Sequence, residues 1–216
     1  MKKILLLITT VVFLSGCSLF ESSHEMEKNA DELVSEGSSS FAAGDYKDAV
    51  KAYTDLKDWY PFSKYAILAE LKIADSYYHL KEYDEAIIGY EEFEKMHPKN
   101  EAIPYVIYQT GLCWFEQLDT IDRDSTPAKN SMAQFNRLIN QFPEDEYAQK
   151  AQKNIKICLS NISGHELYVA NFYMKTKKYN AALKRYEYLV EHYPGSQDSK
   201  EALNKIPECR ALANKK

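Results

Sequence analysis

Apolar residues recur at helical spacing along most of the chain and predict a succession of short helices with no strand-like alternation. Leu33, Gly37 and Phe41 fall every fourth residue and predict a first helix over 29–43, ended by Gly44; a second follows over 47–59. Ala148, Ala151, Ile155, Cys158 and Leu159 predict another over 146–161. Ala202, Leu203, Ile206 and Leu212 predict a lone terminal helix over 199–214, which Pro207 should kink, since proline lacks the N–H that an inner turn requires.

Within this pattern one phrase returns. Ala49 is followed by Tyr53 and Pro61, Ala86 by Tyr90 and Pro98, and Ala182 by Tyr186 and Pro194, with offsets of 4 and 8 each time. A worn copy has Ser131, Phe135 and Pro143. A small residue that lets two helices touch, an aromatic ring beside it and a closing proline form the second half of a 34-residue tetratricopeptide (TPR) unit. The fold expected is all-α: a TPR-type solenoid of about four to five repeats with a C-terminal capping helix. Repeats 1 and 2 occupy 29–100, with the extra residues of the 37-residue spacing between Pro61 and Pro98 placed after Pro61. Repeat 3, with Gly111 in its small position, occupies 101–145 and carries a charged insertion between Leu118 and Pro127, closed by Thr126 as helix cap and Pro127 as first helical residue. An extra helix, the last full repeat and the capping helix fill 146–214. Seven glycines and seven prolines in 216 residues are too few turn formers for an all-β chain.

The first residues belong to targeting. Lys2 and Lys3 precede an apolar run from Ile4 to Leu14, then Leu14-Ser15-Gly16-Cys17. The run is too short to span a bilayer and has the layout of a secretory signal, residues 1–16. Its end resembles the bacterial lipobox, which implies cleavage before Cys17 and acylation of that residue, with 17–28 as lipidated cysteine and tether. Ser18 after the cysteine points to the outer membrane, periplasmic face. Cys113, Cys158 and Cys209 have no CxxC spacing and are expected as small apolar helix residues, one disulfide being the alternative.

Charge divides the chain. Residues 18–144 hold 12 Lys/Arg against 24 Asp/Glu, a net of −12; residues 145–216 hold 13 against 8, a net of +5. Two partner surfaces of opposite sign are one reading, ordinary solvated helix faces the other. The acidic total of −5 speaks against nucleic acid. No catalytic constellation or cofactor signature is present: Val169 stands where a zinc-protease helix would need a second histidine after His165-Glu166, and the remaining histidines are scattered. A non-enzymatic binding role is expected. Counting repeat positions from Ala30, Ile67 and Pro104 puts Phe41, Leu71, Tyr78, His79, Tyr105, Tyr108 and Phe115 on the concave face, an aromatic groove with no Lys or Arg, suited to a peptide with aromatic anchors. Packing of these rings between repeats is the alternative.

Particular residues narrow this further. Trp59-Tyr60-Pro61-Phe62 with Tyr65, Tyr105-Val106-Ile107-Tyr108 with Gly111-Leu112, Asp122-Arg123-Asp124, and Glu166-Leu167-Tyr168-Val169-Ala170 with Phe172-Tyr173, Tyr179 and Arg185 resemble the BamD (ComL/YfiO) family over nearly the whole mature chain. The resemblance implies a cofactor-free scaffold of the outer-membrane β-barrel assembly (BAM) complex. Its first repeats would receive C-terminal signals of unfolded outer-membrane proteins and its last would dock on the POTRA domains of BamA, with Arg123 and Arg185 as docking candidates. Contacts with other Bam lipoproteins are open, because the chain stops soon after one helix beyond the last repeat. The competing class is a periplasmic TPR lipoprotein of envelope organisation, such as a secretin pilotin or a cell-wall coordination factor.

Overall fold

The computed structural model describes residues 28–215. The signal segment and Cys17 lie outside them. Among the described residues the chain forms nine α-helices and no strand: α1 Ala30–Ala43, α2 Tyr46–Trp59, α3 Ala66–His79, α4 Tyr83–Met96, α5 Ile103–Phe115, α6 Thr126–Gln141, α7 Glu146–Lys175, α8 Tyr179–His192 and α9 Gln197–Ala213. Each helix packs on its neighbours in sequence, and α7 also touches α5 and α9. This is the layered stack of a TPR solenoid, in which every unit buries its apolar stripe against the next.

One pairing repeats through the stack. The small residue of each first helix, Gly37, Ala74, Gly111 or Ala170, is fully or nearly fully buried, as is the ring that follows it, Tyr53, Tyr90, Phe135 or Tyr186. The approach is close enough that a Cβ on Gly111 would meet the Phe135 ring at 2.6 Å and one on Gly37 would meet Tyr53 at 2.8 Å. A buried phenol needs a partner, and the residue after the small one supplies it. Tyr53 bonds Ser38 (3.1 Å), Tyr90 donates to Asp75 (2.8 Å) and Tyr186 donates to Asn171 (2.7 Å). Phe135 has no hydroxyl, and Leu112 occupies the equivalent place. The worn third copy works differently: buried Ser131 donates its hydroxyl to the Gly111 carbonyl (2.9 Å), tying the two helices where alanine would merely touch.

Helix ends follow local chemistry. Asn29 and Glu32 form a reciprocal capping box at the start of α1, and Gly44 closes that helix at φ 84, a left-handed conformation that glycine takes without a Cβ penalty. Two features differ from the sequence expectation. Thr126 is the first residue of α6 and not its cap; Asp124 accepts from its N–H (3.1 Å) and its hydroxyl (2.9 Å). The extra helix and the first helix of the last repeat are one 30-residue helix, α7. Gly164 lies mid-helix beside Ile121 of the insertion, and a Cβ added there would meet the Ile121 side chain at 3.0 Å. The terminal helix runs through Pro207. Cys113, Cys158 and Cys209 are free thiols, each buried.

Candidate functional site

The candidate groove residues gather into two ring clusters. In the first, His79 of α3 stacks on Tyr46 of α2 (4.5 Å between centroids, 8° between planes), and Phe41 of α1 meets both edge-on at 5.4 Å. Tyr78 lies edge-on to His79 and tilts against Tyr83 of α4. In the second, Tyr105 and Tyr108 of α5 both reach Tyr147 of α7, at 5.5 and 5.3 Å, while Tyr108 and Phe115 contact the buried Phe135. Leu71 packs from the side onto the central core. Offset and edge-on arrangements of this kind are the favoured ones for rings.

A buried carboxylate joins the clusters. Asp75, 2% exposed, accepts hydrogen bonds from Tyr90 (2.8 Å) and Tyr105 (2.7 Å) on one oxygen and from Lys72 (2.8 Å) on the other. The Lys72 ammonium also sits over the Phe41 ring, 4.6 Å from its centroid. Phe41, Lys72, Asp75, Tyr105 and Tyr147 therefore form a connected line across three repeats. Burial first, and then the adjacent Asp75 charge, push the Tyr90 and Tyr105 hydroxyls well above the ordinary phenol range, so both stay protonated as donors. Tyr78 is raised to about 12, by burial first and then by Glu116.

The expectation of a groove without cations is corrected by this geometry. Lys72 lies beside Phe41, and Lys150 stands 4.4 Å over the Tyr147 ring. Counting backbone positions misses both because a four-carbon stem carries the charge away from its own Cα. Tyr46 and Tyr147 were missed as well. For Tyr46 a signal existed: the tyrosine opening the repeated phrase returns as Tyr83 and Tyr179.

Arg123 and Arg185 lie far apart in the chain and differ in setting. Arg123 stands exposed on an insertion anchored to α7, where Asn161 donates to the Asp119 carbonyl (2.7 Å) and His165 Nδ1 bonds the Ile121 carbonyl (2.9 Å). Within that loop the hydroxyls of Thr120 and Thr126 bond Asp122 and Asp124 and hold both carboxyls below their usual range. Arg185 of α8 donates to Glu166 of α7 (2.7 Å), a carboxylate only 3% exposed. Its guanidinium is half-exposed, so one face neutralises a buried charge and the other meets solvent. Among the described residues no group of three acidic, histidine or cysteine side chains could hold a metal ion.

Comparison with known proteins places the chain. The family model described as "YfiO: Outer membrane lipoprotein" matches residues 26–214, and a prokaryotic membrane lipoprotein lipid attachment site matches residues 1–18. Similar relatives include "Outer membrane protein assembly factor BamD" of Neisseria gonorrhoeae, 28% identical over 94% of this chain and 82% of that protein. The protein of the same description from Pasteurella multocida is 26% identical over 99% and 85%, and that from Caulobacter vibrioides 25% over 85% and 60%. The solved TPR2AB-domain:pHSP90-complex of yeast Sti1 has a TM-score of 0.48 at 16% identity, covering 86% of this chain and 75% of that one, and carries no argument about function. The match over residues 26–214 takes in every described helix, and the chain belongs to the YfiO family of outer membrane lipoproteins.

Proposed function

We propose that this chain is a non-enzymatic scaffold of the outer-membrane β-barrel assembly machinery, held on the periplasmic face of the outer membrane by acyl chains on Cys17. Its first three repeats receive the C-terminal signals of unfolded outer-membrane proteins, and its last repeat docks on the POTRA domains of BamA through the surface around Arg185, with Arg123 as a second docking candidate. The observation that carries the reading is the line of rings and lysines from Phe41 to Tyr147. Rings spaced over three repeats suit an extended segment with alternating apolar side chains, and Lys150, half-exposed and paired only with the exposed Glu146, suits its terminal carboxylate better than Lys72, which Asp75 already holds. The names of the relatives support the same machinery.

Depletion in the native organism tests the proposal. Loss of many different barrel proteins from the outer membrane is expected. Loss of one secretion system alone, or of none, would replace the proposal with the envelope-organisation reading. In parallel, the purified chain should bind BamA POTRA domains of the same organism.

A further inference from the structure

The edge at which the chain enters the stack bears an apolar projection that the proposed groove does not use. Paired helices run antiparallel, so the end of α2 and the start of α3 lie beside the start of α1. Two hydrogen bonds fix this neighbourhood: Tyr60 donates its hydroxyl to the Lys28 carbonyl (3.0 Å) and Tyr65 donates to Asp31 (2.7 Å). Between and beside these two tyrosines stand Trp59, Phe62, Ile67 and Leu68, four of the twelve large exposed apolar side chains among the described residues, all within ten positions. Trp59 is 49% and Phe62 101% exposed. A turn closed by Ser63 N–H on the Tyr60 carbonyl (2.9 Å) carries Phe62 outward, and the Lys64 ammonium lies over the Tyr65 ring at 4.7 Å.

We propose that this edge rests on the bilayer: Trp59, Phe62, Ile67 and Leu68 enter the boundary between headgroups and acyl chains, and Lys64 meets lipid phosphate. A peptide receptor encloses its ligand between walls, whereas a fully exposed ring on a projecting turn has no wall beside it and must find its apolar partner outside the chain; the lipid anchor puts acyl chains within reach. Tryptophan with a flanking lysine is the composition favoured at membrane interfaces. Distance points the same way. Cys17 precedes Lys28 by eleven residues, and eleven residues span about 40 Å at most in any conformation. The anchor therefore keeps this edge near the lipid surface, where a weak partition is multiplied by high local concentration. The inference rests on the lipid attachment site and is independent of the assembly function.

The test uses the acylated full-length chain in vesicles of phosphatidylethanolamine and phosphatidylglycerol. Trp59 and Trp114 are the two tryptophans, so Trp114→Phe leaves Trp59 as the sole reporter. Lipids brominated near the acyl carbonyls should quench at least half of its emission, and aqueous iodide should quench it at least threefold less than in a chain lacking the acyl group. Adding Phe62→Asp, a change at a side chain with no protein contact to lose, should reverse both effects while the acyl anchor keeps the protein on the vesicles. Emission indifferent to brominated lipid, or bromine quenching unchanged by Phe62→Asp, would overturn the proposal. So would protection of Trp59 by POTRA domains or a client peptide in the absence of lipid.

Discussion

Two buried carboxylates divide the molecule. Asp75, in the second repeat, is closed from all sides by groups of the stack itself: two tyrosyl hydroxyls and a lysine already committed to a ring. Glu166, in the last repeat, is as deeply placed, yet its recorded partner is Arg185, whose other face is in solvent. The first arrangement welds three repeats and stations their rings. The second keeps a cation at the surface of the basic third, where a partner could use it. Both counter-ions are partly exposed, Lys72 less than Arg185; what sets the two carboxylates apart is that Asp75 also takes two tyrosyl hydroxyls from the stack.

Removing each carboxylate partner should break this comparison open. Asp75→Ala strands two buried hydroxyls and should lower the unfolding free energy by about 3 kcal/mol or more, read by urea denaturation. Gly111→Ala presses a methyl into Phe135 and should cost about 1–3 kcal/mol, while Gly195→Ala, with nothing within 4 Å of the added carbon, should cost far less. Arg185→Ala should cost about 1–2 kcal/mol, because water can reach the vacated side and partly solvate Glu166. Any POTRA-binding experiment with Arg185→Glu must therefore be paired with a stability measurement, since that change also sets two carboxylates together. Smaller than the loss of Arg185, Tyr186→Phe removes the bond to Asn171, which Lys205 also donates to (2.9 Å), and should cost about 0.5–1.5 kcal/mol.

The central region also has a pH signature. Burial pushes the Cys113 thiol from an ordinary value of 9.0 up to about 12, its own backbone hydrogen bond opposing. A raised thiol pKa means the folded state holds its proton longer than the unfolded one, so Cys113 contributes stability that is complete below pH 9 and lost as pH rises toward 12. Maleimide at pH 8 should leave the native thiol unmodified and label it on unfolding.

Much of this fold was legible before any coordinates. The offsets from Ala49, Ala86 and Ala182 to their rings and prolines located most helices because each residue does one local job: contact, filling or termination. The polar partners of the tyrosines were also readable, since Ser38, Asp75 and Asn171 accompany tyrosine and Leu112 accompanies phenylalanine. The joining of two expected helices into α7 was not, because the apolar spacing of 146–161 marks a helix without marking where it ends. The Lys72 pairing was half legible: Asp75 lies three residues on along the same helix, a spacing that brings the two side chains together, but the Phe41 ring beneath the ammonium comes from α1, which that spacing does not show.

The most direct measurement is a titration of the folded chain with a labelled peptide of alternating apolar residues ending in phenylalanine, repeated with Tyr46→Ala/His79→Ala. These rings stack on each other and meet Phe41, and their joint loss should weaken binding at least about tenfold, the scale of one aromatic hot spot, with helicity unchanged. Equal affinity in a fully helical double variant would contradict the assignment of this ring line as the client-binding surface.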